Sequence, residues 1–191
     1  MKTKTIAART KCIVAALILS MSIGVMPVYA VQPVQETNVA VEQNQDSVEE
    51  KAAAYFANFP EDKHVVSAAD FLKMVENKEN ICVLDIRSAE DYAAGHIQGA
   101  INVPYGVDSA EALDKIPDDV EVLVYCYSGQ TASQTVALLN LAGKNAYNVS
   151  GGFTGISKEE AAEKLTVKET ASFGEKTYSV DAQIKEAIQE Y

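Results

Sequence analysis

The stretch VLVYCYSGQTASQTVALL, Val122 to Leu139, passes from an apolar run into a helical pattern with one cysteine, Cys126, at the join. Val120 to Tyr125 has the length of a strand and is apolar at almost every position, as a strand covered on both faces is. Thr131 to Ala142 carries Val136, Ala137, Leu138 and Leu141 and predicts a helix. Between them lie Tyr127, Ser128, Gly129 and Gln130, and no charged residue.

The same alternation extends outward. Ile81 to Ile86 is a second apolar strand, His64-Val65-Val66 and Ala146 to Val149 are shorter ones, and Ala100 to Val103 is a strand ended by Pro104. Ser67-Ala-Ala-Asp70 resembles a capping box that opens the helix DFLKMVEN. Ala89 to Ala94 and Ser109 to Lys115 are further helices. Strands alternating with helices imply right-handed crossovers, hence an α/β fold with a parallel sheet and helices on both faces. Ligands of such sheets sit beyond the carboxyl ends of the strands, where Asp85 and Cys126 both fall.

The flanks divide as follows. Residues 1–30 read as a signal peptide: Lys2, Lys4, Arg9 and Lys11, then an apolar run from Cys12 to Met26, then Val28-Tyr29-Ala30. The run is shorter than the roughly 18 residues a spanning helix needs. Cleavage after Ala30 is expected, giving a secreted or extracytoplasmic protein without stable membrane insertion; an uncleaved N-terminal anchor is the alternative. Residues 31–46 read as a flexible acidic linker. Residues 47–63 read as a helix docked on the domain through Tyr55, Phe56 and Phe59. The domain itself spans 64–156, and 157–191 forms a C-terminal helical extension, with Ser157 to Glu160 capping a short helix and Val180 to Tyr191 forming another.

The whole chain has 16 Lys and Arg against 27 Asp and Glu, a net charge of −11. Losing the four N-terminal cations and no carboxylate takes it to about −15, which argues against nucleic acid or anionic lipid as a partner. Two of the three cysteines, Cys82 and Cys126, remain, too few for a disulfide scaffold.

A strand end feeding a helix surrounds its loop with N–H groups that lack helical partners, and the helix dipole adds about half a positive charge there. Tyr127 to Thr131 can curl around the Cys126 sulfur as a nest of donors. Such a cradle favours thiolate over thiol and suits covalent catalysis through a persulfide, aided by the Ser128 and Thr131 hydroxyls.

Three stretches together resemble the rhodanese family of sulfurtransferases: VLDIRSAEDYAAGHIQGAINVPY (Val83 to Tyr105), VLVYCYSGQTAS (Val122 to Ser133) and AYNVSGG (Ala146 to Gly152). The resemblance implies a rhodanese-like five-stranded parallel sheet with Cys126 as the persulfide-carrying nucleophile. It implies a loop of Tyr127, Ser128, Gly129, Gln130 and Thr131, with Arg87, around the substrate. Asp85, Glu90 and His96 match positions that support the site. The implied function is transfer of sulfane sulfur from a small anionic or persulfide donor to a thiol or other thiophilic acceptor. No cofactor or metal is called for, and a monomer is expected. Two departures stand out. Tyr127 and Thr131 occupy positions where many single-domain members carry cations, so activity on thiosulfate is expected to be weak. Ile156 stands where an aromatic often follows the double glycine.

The rival is a non-catalytic rhodanese-like binding or sulfur-sensing module outside the membrane. Other chemistries lack a needed group. A phosphatase loop needs an arginine at Ala132, thioredoxin-like exchange needs a cysteine at Gly129, and a protease pairing of Cys126 with His64 or His96 has no orienting partner. If Asp85 is level with Cys126, a Cys82–Cys126 bridge would have to span about 10 Å, beyond the reach of a disulfide.

Overall fold

A computed structural model describes residues 39–190. The expected signal peptide, residues 1–30, and residues 31–38 of the expected linker lie outside the described residues. In chain order the elements are α1 (Val39–Ala57), β1 (Val65–Val66), α2 (Ala68–Glu76), β2 (Ile81–Asp85), α3 (Ala89–Ala94), β3 (His96–Ile97), β4 (Ala100–Asn102) and α4 (Val107–Glu111). They continue as β5 (Glu121–Tyr125), α5 (Gln130–Leu141), β6 (Asn145–Val149), α6 (Gly152–Ile156), α7 (Ala162–Leu165), β7 (Thr166–Val167) and α8 (Ala182–Glu190).

Five strands form the expected parallel sheet in the order β1-β6-β5-β2-β4. Strand period decides its two faces. Cys82, Leu84, Val122, Val124 and Cys126 turn to one side with Val136 and Leu139 of α5 and Ile184 of α8. Val83, Leu123 and Tyr125 turn to the other, with Phe71 and Leu72 of α2, Ile156 of α6 and Leu165 of α7. Both faces of β2 and β5 are therefore buried, which is why their sequences are apolar at successive positions. The capping box holds: Ser67 accepts from the Asp70 N–H at 3.0 Å. The two-residue β3 pairs antiparallel with β7, outside the main sheet.

Several expectations need correcting. Residues 39–46, read as unstructured, are the first turns of α1; no glycine or proline interrupts them, and Ala, Glu and Gln are good helix formers. Of the aromatics expected to dock this helix, Tyr55 is half-buried, whereas Phe56 is 68 % exposed. Ser157 does not cap the following helix. It closes α6, its hydroxyl donating to Thr154 O, and α7 starts without a side-chain cap. The C-terminal extension is only partly helical. Between β7 and α8 the chain is extended, bridges β4 at Ile101 through Ala171, and is tied to the 114–119 turn by the Tyr178 N–H on Asp114 O and by Lys176 on Asp119.

Register places Asp85 opposite Tyr125, and Cys82 opposite Val122. Cys82 thus lies four residues, about 13 Å, back from Cys126 along the strand direction. Both thiols are free.

Candidate functional site

β5 ends at Tyr125, so the sheet ladder stops just before Cys126 and the next N–H groups are not committed to a strand partner. The chain turns at Gly129, whose φ of +93° is a left-handed conformation that glycine adopts without steric cost, and enters α5 at Gln130. A second loop clamps the turn from the β6 side. The Phe153 N–H donates to Cys126 O at 2.7 Å and the Thr154 N–H to Tyr127 O at 3.0 Å. The clamp depends on Gly152: a Cβ there would stand 2.5 Å from Cys126 O and 2.7 Å from the Ser128 and Gly129 nitrogens. With the loop carbonyls tied back to α6, its N–H groups are left to face the sulfur.

The Gly129 N–H donates to Cys126 Sγ at 3.0 Å. Burial pushes the thiol up, but hydrogen bonds from the Thr131 hydroxyl and from the N–H groups of Ala132, Ser128 and Gly129 outweigh it and hold Cys126 below the ordinary thiol range. The cradle extends one residue beyond the expected nest, to Ala132, because the first helical turn of α5 supplies its own unpaired donors. A polar chain supports it from beneath: Asn148 Nδ2 donates to Ser133 Oγ at 2.8 Å, and Ser133 Oγ to Gly129 O at 2.9 Å. Sequence reading did not single out Asn148, Ser133 or Phe153. The double glycine beside Phe153 was the available signal.

Asp85 and Arg87 form a buried ion pair at the end of β2. Arg87 Nη2 stands 2.6 Å from Asp85 Oδ2, and its Nε donates to both carboxylate oxygens at 3.0 and 3.1 Å. Nη2 also donates to Gly95 O at 2.8 Å. The guanidinium lies 3.7 Å from the centre of the Phe153 ring. Burial works against the charge, but Asp85 more than offsets it and holds Arg87 above its ordinary value. The structure gives Arg87 a different post from the substrate contact expected of it. At 4 % exposure, with its fork on Asp85 and Gly95 and its face under Phe153, it ties the β2 end, α3 and α6 together.

Tyr127 and Ser128 are exposed, Gly129 is buried, Gln130 is exposed and Thr131 half-buried. The Tyr127 side chain reaches across to α3, where its hydroxyl donates to Asp91 Oδ2 and accepts from the Ser88 N–H at 3.3 Å. Glu90 was expected in the supporting cluster; it is exposed, and Asp91 holds that place. Asp91 sits three residues after the N-cap Ser88, whose hydroxyl bonds both its N–H and its carboxylate, and so points back towards the loop. These bonds hold the Asp91 carboxyl below its ordinary value. His96 is fully buried, stacked on Tyr92 at 3.6 Å between ring centres, with Nδ1 against Tyr92 O and Nε2 against Glu169 O. It braces α3 to the C-terminal segment and does not join Cys126 in a hydrogen-bonded pair.

The profile of the rhodanese-like domain matches residues 67–159. The thiosulfate sulfurtransferase GlpE of Pseudomonas entomophila is 38 % identical over 79 residues, covering 39 % of this chain and 69 % of that protein. Thiosulfate sulfurtransferase 16, chloroplastic, of Arabidopsis thaliana is 32 % identical over 87 residues, covering 39 % of this chain and 72 % of its own length. The chain spans less than half of some relatives, including 40 % of the tRNA uridine(34) hydroxylase of Buchnera aphidicola, to which it is 31 % identical over 130 residues and 64 % of its own length. Among solved structures, a rhodanese-related protein of Thermoplasma volcanium aligns with a TM-score of 0.45 and 28 % identity, over 55 % of this chain and 98 % of that one.

Proposed function

The chain belongs to the rhodanese-like domain family, and on that premise we propose that it is a sulfurtransferase that carries sulfane sulfur as a persulfide on Cys126. The observation that carries this reading is the Cys126 sulfur under the Gly129 N–H at 3.0 Å, with the Thr131 hydroxyl and the Ala132 and Ser128 N–H groups also lowering its pKa. In the first step the Cys126 thiolate attacks the outer sulfur of a donor. The Sγ–S bond forms as the donor's S–S bond breaks, and the electron pair leaves on the departing group, sulfite if the donor is thiosulfate. In the second, an acceptor thiolate takes the terminal sulfur and Cys126 leaves as thiolate. Both steps conserve charge and need no external oxidant or reductant.

The loop from Cys126 to Ser133 holds no cation, and Arg87 is committed to Asp85. An anionic donor therefore lacks charge-assisted hydrogen bonds worth about 1.5 to 3 kcal/mol each. The natural donor on this reading is a persulfide or another weakly charged sulfur compound, and the acceptor a thiol. Tyr127, Ser128, Gly129, Gln130 and Thr131 line its approach. The basic and apolar pattern of residues 1–30 supports export, and on this reading the reaction takes place outside the cytoplasm.

The test is intact-mass spectrometry after exposure to thiosulfate or polysulfide, with Cys126→Ser in parallel. The expected result is a gain of one sulfur atom that cyanide removes and the variant lacks. A folded protein with a free Cys126 that gains no sulfur from any donor would overturn the reading in favour of a sulfur-sensing or binding module.

A further inference from the structure

Among the described residues, three buried side-chain atoms have no hydrogen-bond partner: His64 Nδ1, Lys144 Nζ and Asn148 Oδ1. Lys144 faces the Tyr178 ring at 5.3 Å, which gives its charge an aromatic partner. The other two residues line one cavity of about 210 Å³, whose walls include Tyr55, Phe56, Phe59 and Val136. An unpaired buried acceptor costs about 1 to 3 kcal/mol, and Asn148 is only 7 % exposed.

The backbone beside this cavity is also unusual. Lys63 and His64, successive residues with side chains, have φ of +58° and +53°. Such conformations cost about 1 to 3 kcal/mol each and persist where the surroundings impose them. Here they lay the His64 ring parallel to Tyr55 at 5.9 Å, with Phe59 and Tyr147 meeting it at steeper angles at 5.6 and 5.4 Å. Strained backbone, an aromatic enclosure and two unpaired polar atoms thus converge on one place. Its outer wall, Tyr55 to Val65, lies on the N-terminal side of the matched residues 67–159.

The cavity is joined to the thiol by three hydrogen bonds. Asn148 donates to Ser133 Oγ, Ser133 to Gly129 O, and the Gly129 N–H to Cys126 Sγ, at 2.8, 2.9 and 3.0 Å. A ligand on Asn148 would therefore stand three hydrogen bonds from the sulfur.

We propose that this cavity is a regulatory site for a small, flat, uncharged molecule that donates an N–H or O–H to Asn148 Oδ1, bonds His64 Nδ1, and modulates Cys126 through Ser133 and Gly129. The occupant is uncharged because the walls are mostly apolar and Lys63, the cation among the lining side chains, is exposed and keeps its charge in water. Its flatness follows from the aromatic walls, and the volume, that of about seven waters at about 30 Å³ each, suits a single-ring molecule.

Benzamide serves as the probe, having a flat ring, an N–H₂ donor and a carbonyl acceptor; toluene lacks the polar groups. NMR titration of the full folded chain is expected to give saturable shifts at Tyr55, Val65 and Ala137 with benzamide, and weaker ones with toluene. Saturation should change the rate of Cys126 alkylation by iodoacetamide at least twofold. Both effects should vanish in Ala137→Phe, which fills the cavity from α5, and weaken in Phe59→Ser, which opens the half-exposed wall without touching the core. Absence of saturable shifts would overturn the proposal and leave a water-filled cavity. So would shifts that persist in Ala137→Phe, or binding that leaves the alkylation rate unchanged. Alkylation reports on the thiol itself, so these outcomes are distinct from failure of sulfur transfer.

Discussion

Cys82, in β2, and Cys126, just past the end of the neighbouring β5, turn into the same apolar cluster, yet burial leaves them in opposite states. Cys82 is 9 % exposed and its thiol is pushed up to about 12 by desolvation alone. Cys126 is only 2 % exposed, though fewer atoms surround it than surround Cys82, and its thiol is held below the ordinary range. Exposure would rank them the wrong way round. The difference is in the backbone. Cys82 sits within β2, where the neighbouring N–H groups belong to the ladder, whereas Cys126 sits one residue past β5, where the ladder has stopped and the first turn of α5 has N–H groups to give.

The strongest test of this contrast is alkylation of the folded chain at pH 7.5, read by peptide mass mapping. Cys126 should react at least about tenfold faster than Cys82, since its larger thiolate fraction outweighs the lower intrinsic nucleophilicity of a less basic thiolate. Equal rates would break the comparison.

Stability at alkaline pH gives the next largest effect. An unfolded thiol ionises near 9 while folded Cys82 stays protonated up to about 12. The folded state therefore loses stability as pH rises through that window, by about 4 kcal/mol at its upper end. Denaturant titrations of wild type and Cys82→Ala should differ by a constant below pH 8, the packing cost of the lost sulfur, and by a pH-dependent amount above it. Cys126 has the opposite sign: its contribution is present above the unfolded thiol pKa and is lost as pH falls through the depressed folded value.

Gly152→Ala should cost about 2 to 4 kcal/mol in denaturant unfolding, from overpacking against three backbone atoms together with left-handed strain. It should also bring Cys126 alkylation towards the rate of an ordinary thiol, because the clamp that aims the loop N–H groups is displaced. A stable variant with unchanged reactivity would show that the cradle holds without α6. The smallest effect is expected of Thr131→Val. Removing one hydroxyl donor while the N–H groups remain should raise the midpoint of the alkylation pH profile and slow the reaction several-fold at neutral pH, with unfolding changed by less than about 1 kcal/mol.

The sequence was most informative where one local rule decides the outcome. Strands β2 and β5 were legible because a parallel strand buried on both faces is apolar at successive residues, and α2 because Ser67 and Asp70 form its cap. Cys126 was legible because the junction of strand and helix fixes where free N–H groups occur. Glu90 was misplaced because helical rotation, with Ser88 as cap, turns Asp91 to the loop. Arg87 carries a charge suited to substrate, but its position two residues after Asp85 let it fold back onto its own strand end.

The order of strands and helices, the thiol at the carboxyl edge of the sheet and the lack of cations around it were thus determined by the sequence alone, since each rests on neighbours a few residues apart. Only the tertiary structure decided what surrounds that thiol. Gly152 meets the Cys126 loop because β6 lies beside β5 in the sheet. Phe153 covers Arg87 because α6 packs over the end of β2, and Asn148 reaches Ser133 because α5 crosses the same strand. Contacts between residues from about 15 to more than 60 positions apart arise from the packing of whole elements, and hydrophobic burial, which drives that packing, is non-directional and leaves no local pattern of the contacts it makes.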